Sequence, residues 1–239
     1  MTEISPPEGP LMKIDLLSLF PEYFQGPFDC SIIRQAVSKG LMDIKLTNIR
    51  DFADNKHRKV DDRPFGGGPG MVMMPGPICR AIDAVSSEKA HVVYMSPQGR
   101  QLTAKKCREL SQKQHLVVLC GHYEGVDERV ASHIDEEISI GDYVLTNGCL
   151  AAIVLIDSVC RFIPGVLGHE MAAEEDSFEN KLLDHPHYTQ PVVFEGIEVP
   201  AVLRSGNHKE IREWRLSKAI EKTRAVRPDL LSNTPSDQE

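Results

Sequence analysis

No apolar run in the 239 residues approaches the ~20 that a membrane-spanning helix needs. The opening MTEISPPEGP lacks the basic-then-apolar layout of a signal peptide, so a short disordered extension is expected over residues 1–11. The six cysteines are far apart and form no C-x-x-C pair. Reduced core thiols are therefore expected rather than disulfides or a metal site, as in a cytoplasmic protein. The glycines at 66–70 are not followed by Gly-Lys-Ser/Thr, and no G-x-G-x-x-G opens a helix, which excludes the usual phosphate loops. Nor is there an excess of positive charge. A net −8 excludes general coating of nucleic acid.

What is present is a globular composition, 41% hydrophobic and 26% charged, enough for one large domain or two smaller ones. The charge is uneven. Residues 204–227 carry eight Lys or Arg against three Glu, a local +5 that leaves −13 elsewhere. Two jobs follow from two regions of opposite sign.

The most informative stretch is 116–148, LVVLCGHYEGVDERVASHIDEEISIGDYVLTNG. Its β-branched start predicts a buried strand, which empties into the glycine-punctuated loop Gly121–Gly125. Gly141-Asp142 opens another loop, closed by Asn147-Gly148. From Glu124 to Asp142 seven acidic residues face one base, Arg129, which suits a cationic or polar ligand better than a phosphate. Two surface turns flanking a solvated acidic helix is the plainer alternative.

Along the chain, strands are predicted at 12–19, 44–49 and 91–95, with helices at 77–85 and 103–112. A further helix is predicted from an Asp29 cap to Lys39, ended by Gly40. Residues 96–100, SPQGR, read as a turn. The alternation predicts an α/β domain with a largely parallel sheet and three glycine-bearing loops at one edge. The loop at 64–70 beside Arg58, Lys59 and Arg63 is either a flexible linker or a lid over nucleic acid or ligand. Residues 150–159 predict a buried helix. Some thirty residues without periodicity then suggest an interdomain linker. Asn207 and Glu210 resemble a capping box. They open a helix with Ile211, Trp214, Leu216, Ala219 and Ile220 on its apolar side. Lys209, Arg212, Arg215, Lys218 and Lys222 lie on the other, a solvated face or a contact for RNA backbone.

DDRPFGGGPGM, SPQGR, CGHYEG, DERV, SIGDYVL, DSVCRFIPGVLGHE and EEDSF occur in that order. Together they closely resemble the bacterial tRNA (guanine-37 N1)-methyltransferases, the TrmD family of the SPOUT superfamily, over roughly residues 12–231. The resemblance implies an S-adenosyl-L-methionine-dependent enzyme. Its fold would be a SPOUT-type parallel-sheet α/β domain with a deep trefoil knot over 12–163, then a linker over 164–184. A small helical tRNA-binding domain would follow over 185–239. It also implies an obligate homodimer with a shared active site, tRNA as substrate, no membrane, and dependence on Mg²⁺, for which no ligand set can be read.

Residue by residue, the resemblance makes the three loops the cofactor cradle. Tyr94, Ser96, Pro97 and Gln98 lead in, and Gly121, Tyr123 and Gly125 follow. Ile140, Gly141, Asp142, Tyr143, Val144, Leu145 and Gly148 complete it. Asp176 matches the catalytic aspartate, reaching across from the second subunit, Arg161 the catalytic arginine, and Glu124 an acid near the methionine end of the cofactor. Contacts to tRNA fall on Arg58, Asp62, Arg63 and Gly67, and on Ser177, Ser205, Asn207, His208 and Arg215. The residue types suit the chemistry. Guanine N1 carries a proton that a carboxylate can remove, and Arg161 is a fitting donor to the charge that develops on O6. Without the resemblance, Asp176 reads as a solvated acid among Glu174, Glu175 and Glu179, and Arg161 as a helix C-terminal cap. Another SPOUT RNA methyltransferase, acting on a different base or a ribose hydroxyl, and an inactive tRNA-binding member remain as alternatives.

Three departures from the family pattern stand out. His122 replaces a common Arg, Asn147-Gly148-Cys149 replaces a commoner Gly-Gly-Glu, and the sequence stops soon after Leu231, which implies a reduced grip on tRNA. His185-Pro186-His187 invites a zinc reading, but with no third and fourth ligand at plausible spacing no metal site is assigned.

Overall fold

The computed structural model describes residues 12–168, 176–178 and 180–232. The expected extension at 1–11, part of the expected linker (169–175 and 179) and the polar tail from 233 lie outside the described residues. Backbone contacts divide the chain into two compact units after residue 170.

In the first unit, β1 (Met12–Ser18), α1 (Ser31–Ser38) and β2 (Met42–Asn48) are followed by two short paired strands, β3 (Asp61–Asp62) and β4 (Val72–Met73). Then come α2 (Pro75–Val85), β5 (Ala90–Gln101), α3 (Ala104–Ser111), β6 (His115–Cys120), β7 (Glu136–Ser139) and α4 (Cys149–Cys160). Five strands form one parallel sheet in the order β2-β1-β6-β5-β7. All six residues of β6 are buried, as expected of a central strand covered on both faces. Leu116 and Val118 face a core shared with α1, α3 and α4, while Val117 and Leu119 face the core under α2. Each such fully buried aliphatic side chain contributes about 1.5–3 kcal/mol. At the other end of the sheet Asp15 and His115, 2% and 3% exposed, share a 2.8 Å hydrogen bond. Lys13 Nζ lies 2.7 Å from the same carboxylate, and Ser87 Oγ 2.9 Å from the other ring nitrogen.

Several local expectations change. Asp29 does not cap α1: its carboxylate accepts the Gly26 amide, and the helix begins after Cys30 without a side-chain cap. The turn expected at 96–100 lies inside β5. Met95 and Arg100 both pair with Ile138, so residues 96–99 bulge out of a continuous strand. The acidic run at 135–137 is no solvated helix. Glu136 and Glu137 belong to edge strand β7, and Glu136 is held by His91 (2.8 Å) and Lys106 (3.0 Å). Asp135 accepts the Val92 amide at 2.7 Å. The glycine loop is the tip of the β3–β4 hairpin rather than an open linker. Gly66, Gly67, Gly68 and Gly70 all have φ between +79° and +117°, a region that suits residues without a Cβ.

The second unit holds a hairpin of β8 (Val193–Phe194) and β9 (Ile197–Glu198) and the long helix α5 (His208–Val226). Asn207 caps α5, accepting the Lys209 and Glu210 amides, and its own side-chain amide donates to Glu210 (2.8 Å). Leu216, expected on the apolar side, is 54% exposed. Thr223 is fully buried instead, because its hydroxyl donates to Ala219 O and accepts the Leu183 amide.

Candidate cofactor cleft and catalytic residues

Because β6, β5 and β7 are neighbours and parallel, whatever follows their C-terminal ends must emerge side by side. Three segments do: the 96–99 bulge, residues 121–125 after β6, and residues 140–148 after β7. Between them lies a cleft of about 340 Å³. It brings together every expected cofactor residue except Asp142, with Glu124 beside them. Asp142 stands in the same loop but points no surface into the cleft.

The glycines are sited where side chains would collide. An added Cβ at Gly148 would lie 3.0 Å from Gly121 N, and the two loops are joined there by the Gly148 amide donating to Gly121 O at 2.8 Å. At Gly141, with φ +151°, a Cβ would sit 2.5 Å from the Tyr143 ring. A Cβ on Gly70 would overlap the Glu124 carboxyl, so the hairpin loop abuts the cleft. Backbone bonds from Glu124 N to Met71 O and from Met73 N to Gly125 O, both 3.0 Å, hold the two loops together.

Among the described residues, the charged groups lining the cleft are Glu124, Asp127, Glu128 and Glu137, without a Lys or Arg. Buried Tyr94 reaches the floor, and burial followed by the charge of Glu137 pushes its phenol up to about 12. Such a lining repels phosphate and attracts cations. Arg129, the one base counted in the stretch, is turned onto Asp127 through two 2.8 Å hydrogen bonds.

The departures at 122 and 149 meet underneath. His122 is buried, its Nδ1 lies 3.2 Å from Cys120 O, and its Nε2 is 3.9 Å from Cys149 Sγ. Ser18 Oγ stands 3.3 Å from the same sulfur. Hydrogen bonding from Cys120, joined by His122 and Ser18, draws the Cys149 thiol down to about 5 against the effect of burial. Fully buried Cys120 keeps its proton and is pushed well up. Asn147, changed together with Cys149, accepts the Cys149 amide at 2.9 Å just before α4, whose N-cap is Gly148. All six thiols are free, as composition implied.

Arg161 is the C-cap residue of α4 and exposed. Twelve helical residues at 1.5 Å each put it about 18 Å from the helix N-terminus, where the cleft lies. Leu150, Val154, Asp157 and Arg161 follow i, i+4, i+7, i+11 spacing and form one exposed stripe on a helix whose other faces are buried. Asp176 is exposed and belongs to the second unit, on a turn where Phe178 has φ +81°. Ser177 Oγ there accepts the Asp184 amide at 2.9 Å.

Of the residues expected to meet tRNA, Arg58, Asp62, Arg63 and Gly67 sit on or beside the β3–β4 hairpin. Arg58 pairs with Asp51, and Asp62 with Lys59, whose hydrogen bond holds the Asp62 carboxyl below its usual range. Ser205, Asn207 and His208 cluster at the start of α5 with Arg215 two turns along, all exposed. Sequence reasoning passed over Phe65. It is 100% exposed at the hairpin tip, and an aromatic flanked by Pro64 and Gly66 was its only signal.

Among proteins of known family, the profile of tRNA (Guanine-1)-methyltransferase TrmD matches residues 12–233. A tRNA (guanine-N(1)-)-methyltransferase of Protochlamydia amoebophila is 64% identical over 92% of this chain and the whole of that protein. The protein of that name from Carboxydothermus hydrogenoformans is 54% identical over 92% of this chain and 87% of its own length. One from Chlamydia pneumoniae is 57% identical over 93% of this chain but only 62% of its own length. With the match spanning both units, the chain belongs to the tRNA (guanine-1)-methyltransferase TrmD family.

Proposed function

We propose that this chain methylates N1 of guanosine-37, the base 3′ of the anticodon in tRNA, using S-adenosyl-L-methionine. Membership of the family makes it a tRNA (guanine-N1)-methyltransferase; the cofactor, the position and the residue roles are the proposal. The observation that carries it is the glycine-edged cleft whose charged lining is wholly acidic. That lining fits a sulfonium and excludes a phosphate-bearing methyl donor. The bound cofactor supplies an electrophilic methyl group on that sulfonium.

The remaining work falls to side chains. Glu124, against the hairpin loop, faces the positive end of the cofactor. Asp176 takes the proton from guanine N1, so that a lone pair is available for transfer. Arg161 donates to O6 as negative charge develops there. About 18 Å of helix separates Arg161 from its own cleft, and the exposed Leu150–Val154–Asp157–Arg161 stripe suits a helix packed against a second copy. Both favour a homodimer in which each cleft receives Arg161 and Asp176 from the partner. The family also implies the trefoil knot, a role for Mg²⁺ and a cytoplasmic location. No described helix is long and apolar enough to cross a membrane. The domain limits proposed are 12–163 for catalysis, 164–184 for the linker and 185–239 for tRNA binding. In the last of these the basic face of α5 tracks the backbone.

The test is transfer from labelled cofactor to two unmodified tRNA transcripts, one with G and one with A at position 37, by the wild type and by Asp176→Ala. Label on the G transcript alone, lost in the variant, is expected. Label on both transcripts overturns the guanine-N1 assignment in favour of another base or a ribose hydroxyl. Undiminished transfer by Asp176→Ala removes the proposed base.

A further inference from the structure

His185 and His187 lacked a third ligand when only spacing was considered; the fold supplies Asp184, their immediate neighbour. One donor atom from each of the three lies within 4.8 Å of the other two. His187 Nε2 is 2.7 Å from Asp184 Oδ2, and His185 Nε2 is 3.8 Å from Asp184 Oδ1. The two rings stand 4.5 Å apart, tilted by 39°. The edge of a tetrahedron with ~2.1 Å metal–ligand bonds is roughly 3.4 Å, between those two separations. The other nitrogen of His185, Nδ1, lies 3.2 Å from Pro186 O. In the tautomer that carries the proton on Nδ1, that contact is the usual outer-shell arrangement of a ligating histidine and leaves the Nε2 lone pair for a metal.

The backbone that carries these groups is also fixed. The Asp184 amide donates to Ser177 Oγ (2.9 Å), and the Leu183 amide to Thr223 Oγ1 (2.8 Å), which is fully buried in α5. The Asp184 carboxylate in turn accepts the His185 amide at 2.7 Å. Three donors are therefore held on one short segment anchored at its N-terminal end. We propose that Asp184, His185 and His187 bind a divalent transition-metal ion, with Zn²⁺ the best match and solvent completing the tetrahedron. Two imidazoles and one carboxylate favour Zn²⁺ over Mg²⁺, which prefers oxygen donors in an octahedron. The ion would clamp the segment that begins eight residues after Asp176, which Ser177 ties back to the Asp176 turn and Thr223 ties to helix α5.

The experiment is calorimetric titration of ZnCl₂ into the chelator-stripped full-length protein, with hydrogen exchange of the 183–187 amides followed in parallel. One equivalent is expected to bind, and to slow exchange at Asp184 and His185. His185→Ala and His187→Ala should each weaken that equivalent at least about tenfold. Asp184→Asn, which keeps the shape and most hydrogen bonds, does the same without disturbing the fold as judged by circular dichroism. No binding at about 100 μM zinc, a concentration that detects interactions of roughly −5 kcal/mol, overturns the proposal. So does an equivalent that survives all three substitutions. If such an equivalent disappears in Cys30→Ser, an exposed thiol rather than the histidine pair holds it.

Discussion

Gly99→Ala tests whether the bulge in β5 shapes the cleft. The glycine faces backbone: an added Cβ would lie 2.5 Å from Ile138 N and 2.6 Å from Glu137 O. Ordinary contact needs about an ångström more, and neither atom can swing away, because Met95 and Arg100 pin Ile138 from both sides of the bulge. The strand pair must open, at about 1–3 kcal/mol for an overpacked site. A chain of this size should then melt about 2–12 °C lower. The strand that shifts, β7, runs directly into residues 140–148, so affinity for S-adenosylmethionine should fall roughly tenfold or more, since each 1.4 kcal/mol is a factor of ten. Gly40→Ala provides the comparison. It has φ +69° with nothing within 4 Å, so backbone strain of about 1 kcal/mol lowers stability alone and leaves cofactor affinity unchanged. Calorimetric titration and thermal melts of both variants decide the matter. A Gly99→Ala protein that melts and binds like the wild type refutes the reasoning, because the bulge would then have slack that its pairing does not show.

Asp15→Ala removes the acid that both His115 and Lys13 use, leaving the buried His115 ring without its partner while half-buried Lys13 can turn to solvent; urea unfolding should show a loss of about 1–3 kcal/mol. A loss below 1 kcal/mol would mean that water replaces the carboxylate. Phe65→Ala deletes a fully exposed aromatic at the hairpin tip, and if it stacks on a base, tRNA affinity should drop by about 1–3 kcal/mol in filter binding with cofactor affinity intact. Tyr94 offers a pH signature. Burial, then Glu137, raises its folded pKa from 10 to about 12, so its contribution to stability is whole below pH 10 and is lost as pH rises towards 12. Two pKa units correspond to about 2.7 kcal/mol, and unfolding curves of Tyr94→Phe between those pH values should lack that decline.

The α/β alternation was legible because strands and helices of the buried sheet announce themselves by period, β6 above all. Strand β7 was not, since Glu136 and Glu137 look solvated until Lys106 and His91, 30 and 45 residues away, are folded against Glu136. The bulge at 96–99 read as a turn for a related reason: glycine and proline mark a break in period, but only pairing with Ile138 tells whether the chain reverses or continues. Glycine punctuation located the three loops, and parallel pairing explains why they converge. Nothing periodic marks Asp176 or Arg161. The roles proposed for them came from ordered motifs, and Arg161 in particular sits where a C-terminal cap would.

The changes at 122 and 149 read as two departures in sequence, yet their side chains touch. An imidazole and a thiol stand here, beneath the joint where Gly148 donates to Gly121. Hydrogen bonding from Cys120, with His122 and Ser18, draws the Cys149 thiol down, which favours a thiolate beside His122. A pair buried this deeply must change together. His122→Arg alone overfills a site that is 5% exposed, and Cys149→Glu alone buries a carboxylate beside Cys120 and Ser18. Each should cost about 2–4 kcal/mol, while the double variant sets opposite charges side by side and recovers about 1 kcal/mol or more of coupling. Urea unfolding of the two single variants and the double variant measures that term directly. Additivity within about 0.5 kcal/mol would show the two positions to be independent, and would make the His122–Cys149 contact incidental to the cleft above it.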